Sequence, residues 1–270
     1  MIDDVLGHED RETLARMVEA VKGAGDVLLQ RFSPAARVID GESLLAAIDA
    51  NDEASTAVLR PALERARPTA RWDDDEEGAG PLGPGEWWVT DAAEGNVNHI
   101  HGSGGWAVTA TLVRDDVPVL TTVHIPLTGE TYTAARGGGA FLDETPIRVS
   151  PKTDLAAALV ATGQAKPGED AEVRRRLSAS IDAMLDSALL VAAAVPATLQ
   201  ILPVASGHTD AFWQYGQIRS GLVAGALLVR EAGGVVLDAR GADWTLDSDA
   251  FVATTPALAT AMTAVLSAVD

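Results

Sequence analysis

The side chains in this 270-residue chain best suited to chemistry are carboxylates and imidazoles, since it contains no cysteine. That absence excludes a disulfide framework, a thiolate metal site and a cysteine nucleophile. Five acidic residues run from Asp73 to Glu77, and Asp91 and Glu94 close a strand-like stretch that ends at Gly95. In isolation an acidic run is an ordinary solvated loop, and a carboxylate at a strand end is ordinarily a helix cap, here for a helix starting near Gly95 to Asn98. Backbone amides at such a start, near Gly95 and Asn96, can hold an anion without any particular side chain. His99 and His101 flank Ile100. In extended geometry their rings would share a face, where they could ligate a metal or transfer protons.

The elements that must position these residues follow from periodicity. From Arg11 to Phe32 the apolar residues Leu14, Met17, Val18, Val21, Ala24, Val27 and Leu28 recur at helical intervals, and a second helix is expected from about Asp49 to Glu64. Between Trp72 and Glu86 the chain is loop-like, with Gly78, Gly80, Pro81, Gly83, Pro84 and Gly85 after the acidic run. Strands are expected at Trp87 to Thr90, Trp106 to Arg114, Val117 to Ile125 and Glu130 to Ala135, forming an antiparallel meander with Trp87, Trp88 and Trp106 in the core. Beyond them, short strands at Leu159 to Thr162 and Ala211 to Trp213 alternate with helices at Ala171 to Asp186, Ala197 to Ser206 and Leu222 to Ala232.

Composition narrows the function classes. Twenty basic residues stand against 39 acidic ones, a formal charge of -19 that repels nucleic-acid backbones and anionic membranes. The longest apolar runs are too short to span a bilayer, and the acidic, amphipathic N-terminus lacks the basic and then apolar pattern of an export signal. A cytoplasmic protein without nucleic-acid or membrane partners is expected.

Two segments carry a resemblance to a known family. The stretch Asp91-Ala92-Ala93-Glu94-Gly95-Asn96-Val97-Asn98, leading to His101-Gly102, resembles the inositol monophosphatase signature Asp-Pro-Ile-Asp-Gly-Thr-Thr-Asn followed by His-Gly. Asp210-Ala211-Phe212-Trp213, with Ala224-Gly225-Ala226 and Glu231-Ala232-Gly233-Gly234 downstream, resembles the family's later strand and helix. Tyr132 to Phe141 is similar to its hairpin, and Ile147-Arg148-Val149-Ser150 to its domain junction. The resemblance implies a layered α/β (α+β) sandwich of the αβαβα type, divided into halves 1–148 and 149–270, and a homodimer. It also implies magnesium-dependent hydrolysis of phosphate monoesters, with Glu76, Asp91, the Ala93 carbonyl and Glu94 as ligands.

The resemblance is incomplete at the implied site. Glu94 stands where the family has Asp, one methylene longer. Aligned from Asp210, the family's substrate-facing Glu falls on Gln214 and its Trp-Asp pair on Ser220-Gly221, so that the late metal ligand is missing and one ion rather than two is expected. Asn96 replaces the Thr that helps position the attacking water, while Asp52, in Asp49-Ala50-Asn51-Asp52, remains as its partner. Val195-Pro196-Ala197 replaces the pocket's Gly-Ser-Ala, and Arg219 sits next to the lost Asp, where it would either neutralise bound anions or cover a rim. The resulting candidates are Asp52, Asp91, Glu94, Asn96 and His99 for catalysis and Gly95, Asn96, Pro196, Gln214 and Arg219 for substrate. The main reading is a hydrolase of a small sugar, polyol or nucleotide phosphate. The alternatives are a metal-independent acid/base enzyme, such as a cyclase, dehydratase or isomerase, that reuses the pocket, and a non-catalytic binding relative.

Overall fold

The chain opens with two long helices. In the computed structural model, which describes residues 6–75, 78–163, 168–216 and 218–269, α1 spans His8–Arg31 and α2 spans Gly41–Ala66. Glu9 and Asp10 sit in the first turn of α1 and complement its dipole, while Leu14, Met17, Val21, Ala24 and Leu28 are buried along one face. Helix α2 begins well before the expected Asp49. Asp40 caps it by accepting the Ser43 amide at 2.8 Å in a capping box, but its first two turns bury little and Leu45 is 61% exposed, so no apolar stripe announces the start.

The first sheet runs in chain order through β1 (Arg71–Trp72), β2 (Glu86–Glu94), β3 (Ala107–Arg114), β4 (Val117–Ile125), β5 (Glu130–Ala135), β6 (Gly139–Leu142) and β7 (Thr145–Pro146). β1 lies parallel to β2, and the remaining pairs form the expected antiparallel meander. Trp88 and Trp106 are buried, whereas Trp87 is half-buried under the Arg71 guanidinium. The second sheet joins β8 (Leu159–Thr162), β9 (Leu190–Ala193), β10 (Ala211–Tyr215), β11 (Val235–Leu237) and β12 (Ala250–Thr254) in the order β11-β12-β10-β8-β9. The helices α3 (Asn96–Ile100), α4 (Ala171–Ser187), α5 (Ala197–Ala205), α6 (Arg219–Glu231) and α7 (Ala259–Ser267) complete the fold.

Three apolar clusters define the layers. One joins α1 and α2 to the first sheet, a second packs α5 and α6 between the two sheets, and a third seats α4 and α7 on the second sheet. The result is an αβαβα sandwich, with α6 central and buried along most of its length. At the start of β2, Glu86 accepts from Arg67 at 2.8 Å and from Arg114 at 2.9 Å, which holds its carboxyl at about 2. The other end of β2 carries the candidate site.

Candidate active site

A bulge builds the site. Asp91 pairs with Thr109 and Glu94 with Ala107, so that Ala92 and Ala93 together oppose Val108 alone. In a regular strand, residues three apart point to opposite faces. The extra residue removes that parity, and Asp91 and Glu94 both line one cavity of about 500 Å³. The Asp91 carboxylate accepts the Ala93 amide at 2.9 Å, and Ser55 donates to the Ala92 carbonyl at 2.6 Å, which fixes the bulge from α2. Gly95 follows at φ +76°, where a Cβ would lie 2.5 Å from the Gly105 carbonyl oxygen, so only glycine fits this turn.

Behind this wall runs a chain of buried amides. Asn96 donates to Asp52 at 2.9 Å and to the Ile48 carbonyl at 3.1 Å, and its own oxygen accepts from Asn51 at 2.8 Å. Asn51 also meets His99 Nδ1 at 3.0 Å, accepts from Arg31 at 2.8 Å, and so links α1 to α3. The Leu28 carbonyl, 2.9 Å from His99 Nε2, can only accept, so that nitrogen carries the hydrogen and Nδ1 accepts from Asn51. Burial pushes the His99 pKa down, in keeping with a neutral ring packed against Phe32 and Trp106.

His99 is therefore not placed as a proton-transfer group facing the cavity. The expected alternation of His99 and His101 fails because residues 96–100 are helical: His99 turns into the core, while His101 is exposed and contacts the Val97 carbonyl at 2.7 Å. Arg219 is also not on the cavity wall. Its Nε and Nη2 form a two-pronged pair with Asp73 at 2.7 and 2.9 Å, its Nη1 donates to the Gly80 carbonyl at 2.8 Å, and its side chain is only 6% exposed. It clamps the loop that follows β1 onto the first turn of α6.

The other residues expected at the site, Asp52, Ala93, Gly95, Asn96, Pro196 and Gln214, do line the cavity. Glu76 lies outside the described residues. At the opposite wall Gly221 offers no side chain, and a Cβ there would stand 4.0 Å from Glu94 Oε2. Thr198, fully buried, donates to Glu94 Oε2 at 2.6 Å and lies 2.9 Å from the Gly221 carbonyl. Neither Thr198 nor Asn51 stood out in the sequence, because an isolated Thr or Asn in a helical stretch carries no signal of its own.

The donor set suits one hard cation: the carboxylates of Asp91 and Glu94 and the Ala93 carbonyl are all oxygen. Among the described residues no three acidic or histidine side chains are grouped to hold an ion. No helix among the described residues is long and apolar enough to cross a membrane.

The described residues form two sheets between helix layers, with two carboxylates at the bulged end of β2 facing one cavity. The sequence model of the inositol monophosphatase family matches residues 9–269, and the chain belongs to that family. Among curated relatives, the Nus factor SuhB of Xylella fastidiosa is 35% identical over 229 residues, covering 84% of this chain and 82% of its own length. The inositol-1-monophosphatase of Rhizobium meliloti is 31% identical over 255 residues, covering 87% and 89%. Among solved structures, an inositol monophosphatase from Anabaena superposes with a TM-score of 0.79 at 25% identity, over 95% of this chain and 96% of its own.

Proposed function

We propose that the protein hydrolyses a small sugar, polyol or nucleotide phosphate with one magnesium ion held by Asp91, Glu94, the Ala93 carbonyl and Glu76. The observation that carries this reading is the convergence of Asp91, Glu94 and the Asn96–Asp52 pair on one cavity in a chain of this family. A bound magnesium ion would screen the phosphate and acidify a water. The chain's own residues do the rest. Asn96 holds Asp52 by its Nδ2 hydrogen, and a carboxylate accepts several hydrogen bonds, so Asp52 can also receive the proton of an attacking water. Gly95 and Asn96 bind the phosphate side, Pro196 and Gln214 shape the alcohol side, and His99 positions Asn51. The His99 ring, neutral and absent from the cavity lining, argues against the acid/base alternative, which counted it among its proton-transfer groups.

We further propose that the protein works as a cytoplasmic homodimer without membrane or nucleic-acid partners, its halves 1–148 and 149–270 supplying the two walls of the cavity. The test is phosphate release from a panel of sugar, polyol and nucleotide monophosphates, with and without magnesium. Magnesium-dependent release, stopped by chelation, is expected. No turnover of any ester in either condition would overturn the hydrolase reading.

A further inference from the structure

Three residues from three elements meet at the edge of the cavity: Glu94 at the end of β2, Thr198 in the first turn of α5 and Gly221 in the first turn of α6. We propose that Thr198 is a positioning residue that fixes the Glu94 carboxylate against Gly221, so that one side chain stands in place of an acidic pair divided between β2 and α6. This rests on the one-ion reading above.

The geometry makes the three residues a unit. Thr198 Oγ1 lies 2.6 Å from Glu94 Oε2 and 2.9 Å from the Gly221 carbonyl, and it has one proton to give. The Gly221 carbonyl already has its helical partner inside α6, whereas the ionised carboxylate is the stronger acceptor, so the proton goes to Glu94. Space points the same way. A Cβ at position 221 would approach Glu94 Oε2 to 4.0 Å, and an Asp there would push a second carboxylate against the first. The longer side chain of Glu94 reaches the space in front of Gly221 that a second carboxylate would need. It also adds a rotatable bond, and magnesium demands near-ideal geometry, so a longer carboxylate needs an anchor that a shorter one would not. The fully buried hydroxyl of Thr198 is that anchor.

The test uses the full chain with magnesium alone, and manganese as a spectroscopic substitute, in calorimetry and in resonance measurements of free manganese. Thr198→Val, which keeps shape and removes the hydroxyl, is expected to weaken ion binding by roughly ten- to a hundredfold, while Thr198→Ser stays within about threefold of the unmodified protein. In a Glu94→Asp background, where the shortened carboxylate no longer reaches Oγ1, Thr198→Val should add no further loss. Circular dichroism checks folding, and Thr198→Ala replaces the valine variant if that variant does not fold. Undiminished ion binding by the hydroxyl-free variant would overturn the positioning role while leaving the one-ion site standing. Failure of the unmodified protein to bind either ion would overturn both.

Discussion

The two walls of the cavity differ in kind. The wall made by β2, α3 and α2 carries Asp91, held by an amide of its own strand, and Glu94 and the Asp52–Asn96 pair, held by hydrogen bonds between elements. The wall made by β10, α5 and α6 offers Gln214, Pro196 and Gly221, all uncharged, and the cation of its first helical turn, Arg219, points outward onto Asp73. A fold of this family places acidic groups on both sides of the cleft; here the charge is gathered on one side and the other supplies shape. Anionic groups brought together cost repulsion unless a cation is bound between them, and the proposed single ion would supply that cation.

The sharpest way to break this contrast is to remove one polar group from each wall. Asp91→Asn should lower kcat/KM by at least a hundredfold, about 2.7 kcal/mol of transition-state stabilisation, with the melting temperature unchanged or raised as repulsion falls. Gln214→Ala should cost tenfold or less and act mainly on KM; equal losses in kcat would erase the distinction between the walls. A stability measurement probes the second wall from behind. Arg219→Ala leaves Asp73, only 9% exposed, without its guanidinium partner and should cost about 3 kcal/mol in chemical denaturation, and Asp73→Ala on top should recover part of it. If the single variant is as stable as the unmodified protein, the clamp does not hold α6. A last variant tests whether the charge can be divided again. Glu94→Asp with Gly221→Asp should raise phosphatase turnover about tenfold, or about 1.4 kcal/mol, provided Asn96 is left in place to hold Asp52. A drop in turnover would show that the gathered arrangement is the working one.

Much of the fold could be read from two signals: helical spacing of apolar residues in α1, α4 and α5, and runs rich in β-branched and aromatic residues in β2 to β5. The short strands β6, β7, β9, β11 and β12 could not, since their places are set by their neighbours in the two sheets, which no local pattern encodes. At the site, the residues drawn from the signature segment, Asp91 to Asn96, fell on the cavity. The errors had local physical causes. His99 was read with the two-residue period of a strand where the chain is helical, and Arg219 was placed by its neighbour in sequence, whereas its long side chain reaches back to Asp73. Asn51 and Thr198 act through partners as far as 48 and 104 residues away, and no local pattern encodes such pairings.

The run of amides from Leu28 through His99, Asn51 and Asn96 to Asp52 has a consequence for proton traffic. Because the Leu28 carbonyl fixes the ring tautomer, every hydrogen along the run has one assigned place: the Asn51 amide donates both ways, to His99, whose Nε2 hydrogen goes on to Leu28, and to Asn96, whose own amide donates to Asp52. An amide has no proton to release near neutrality, so the run is an insulator. Any proton taken up by Asp52 must return through the cavity. As pH falls below about 6.5, the unfolded chain's histidine would take up a proton that the buried ring resists, so the insulation costs stability on the acid side and not on the basic side.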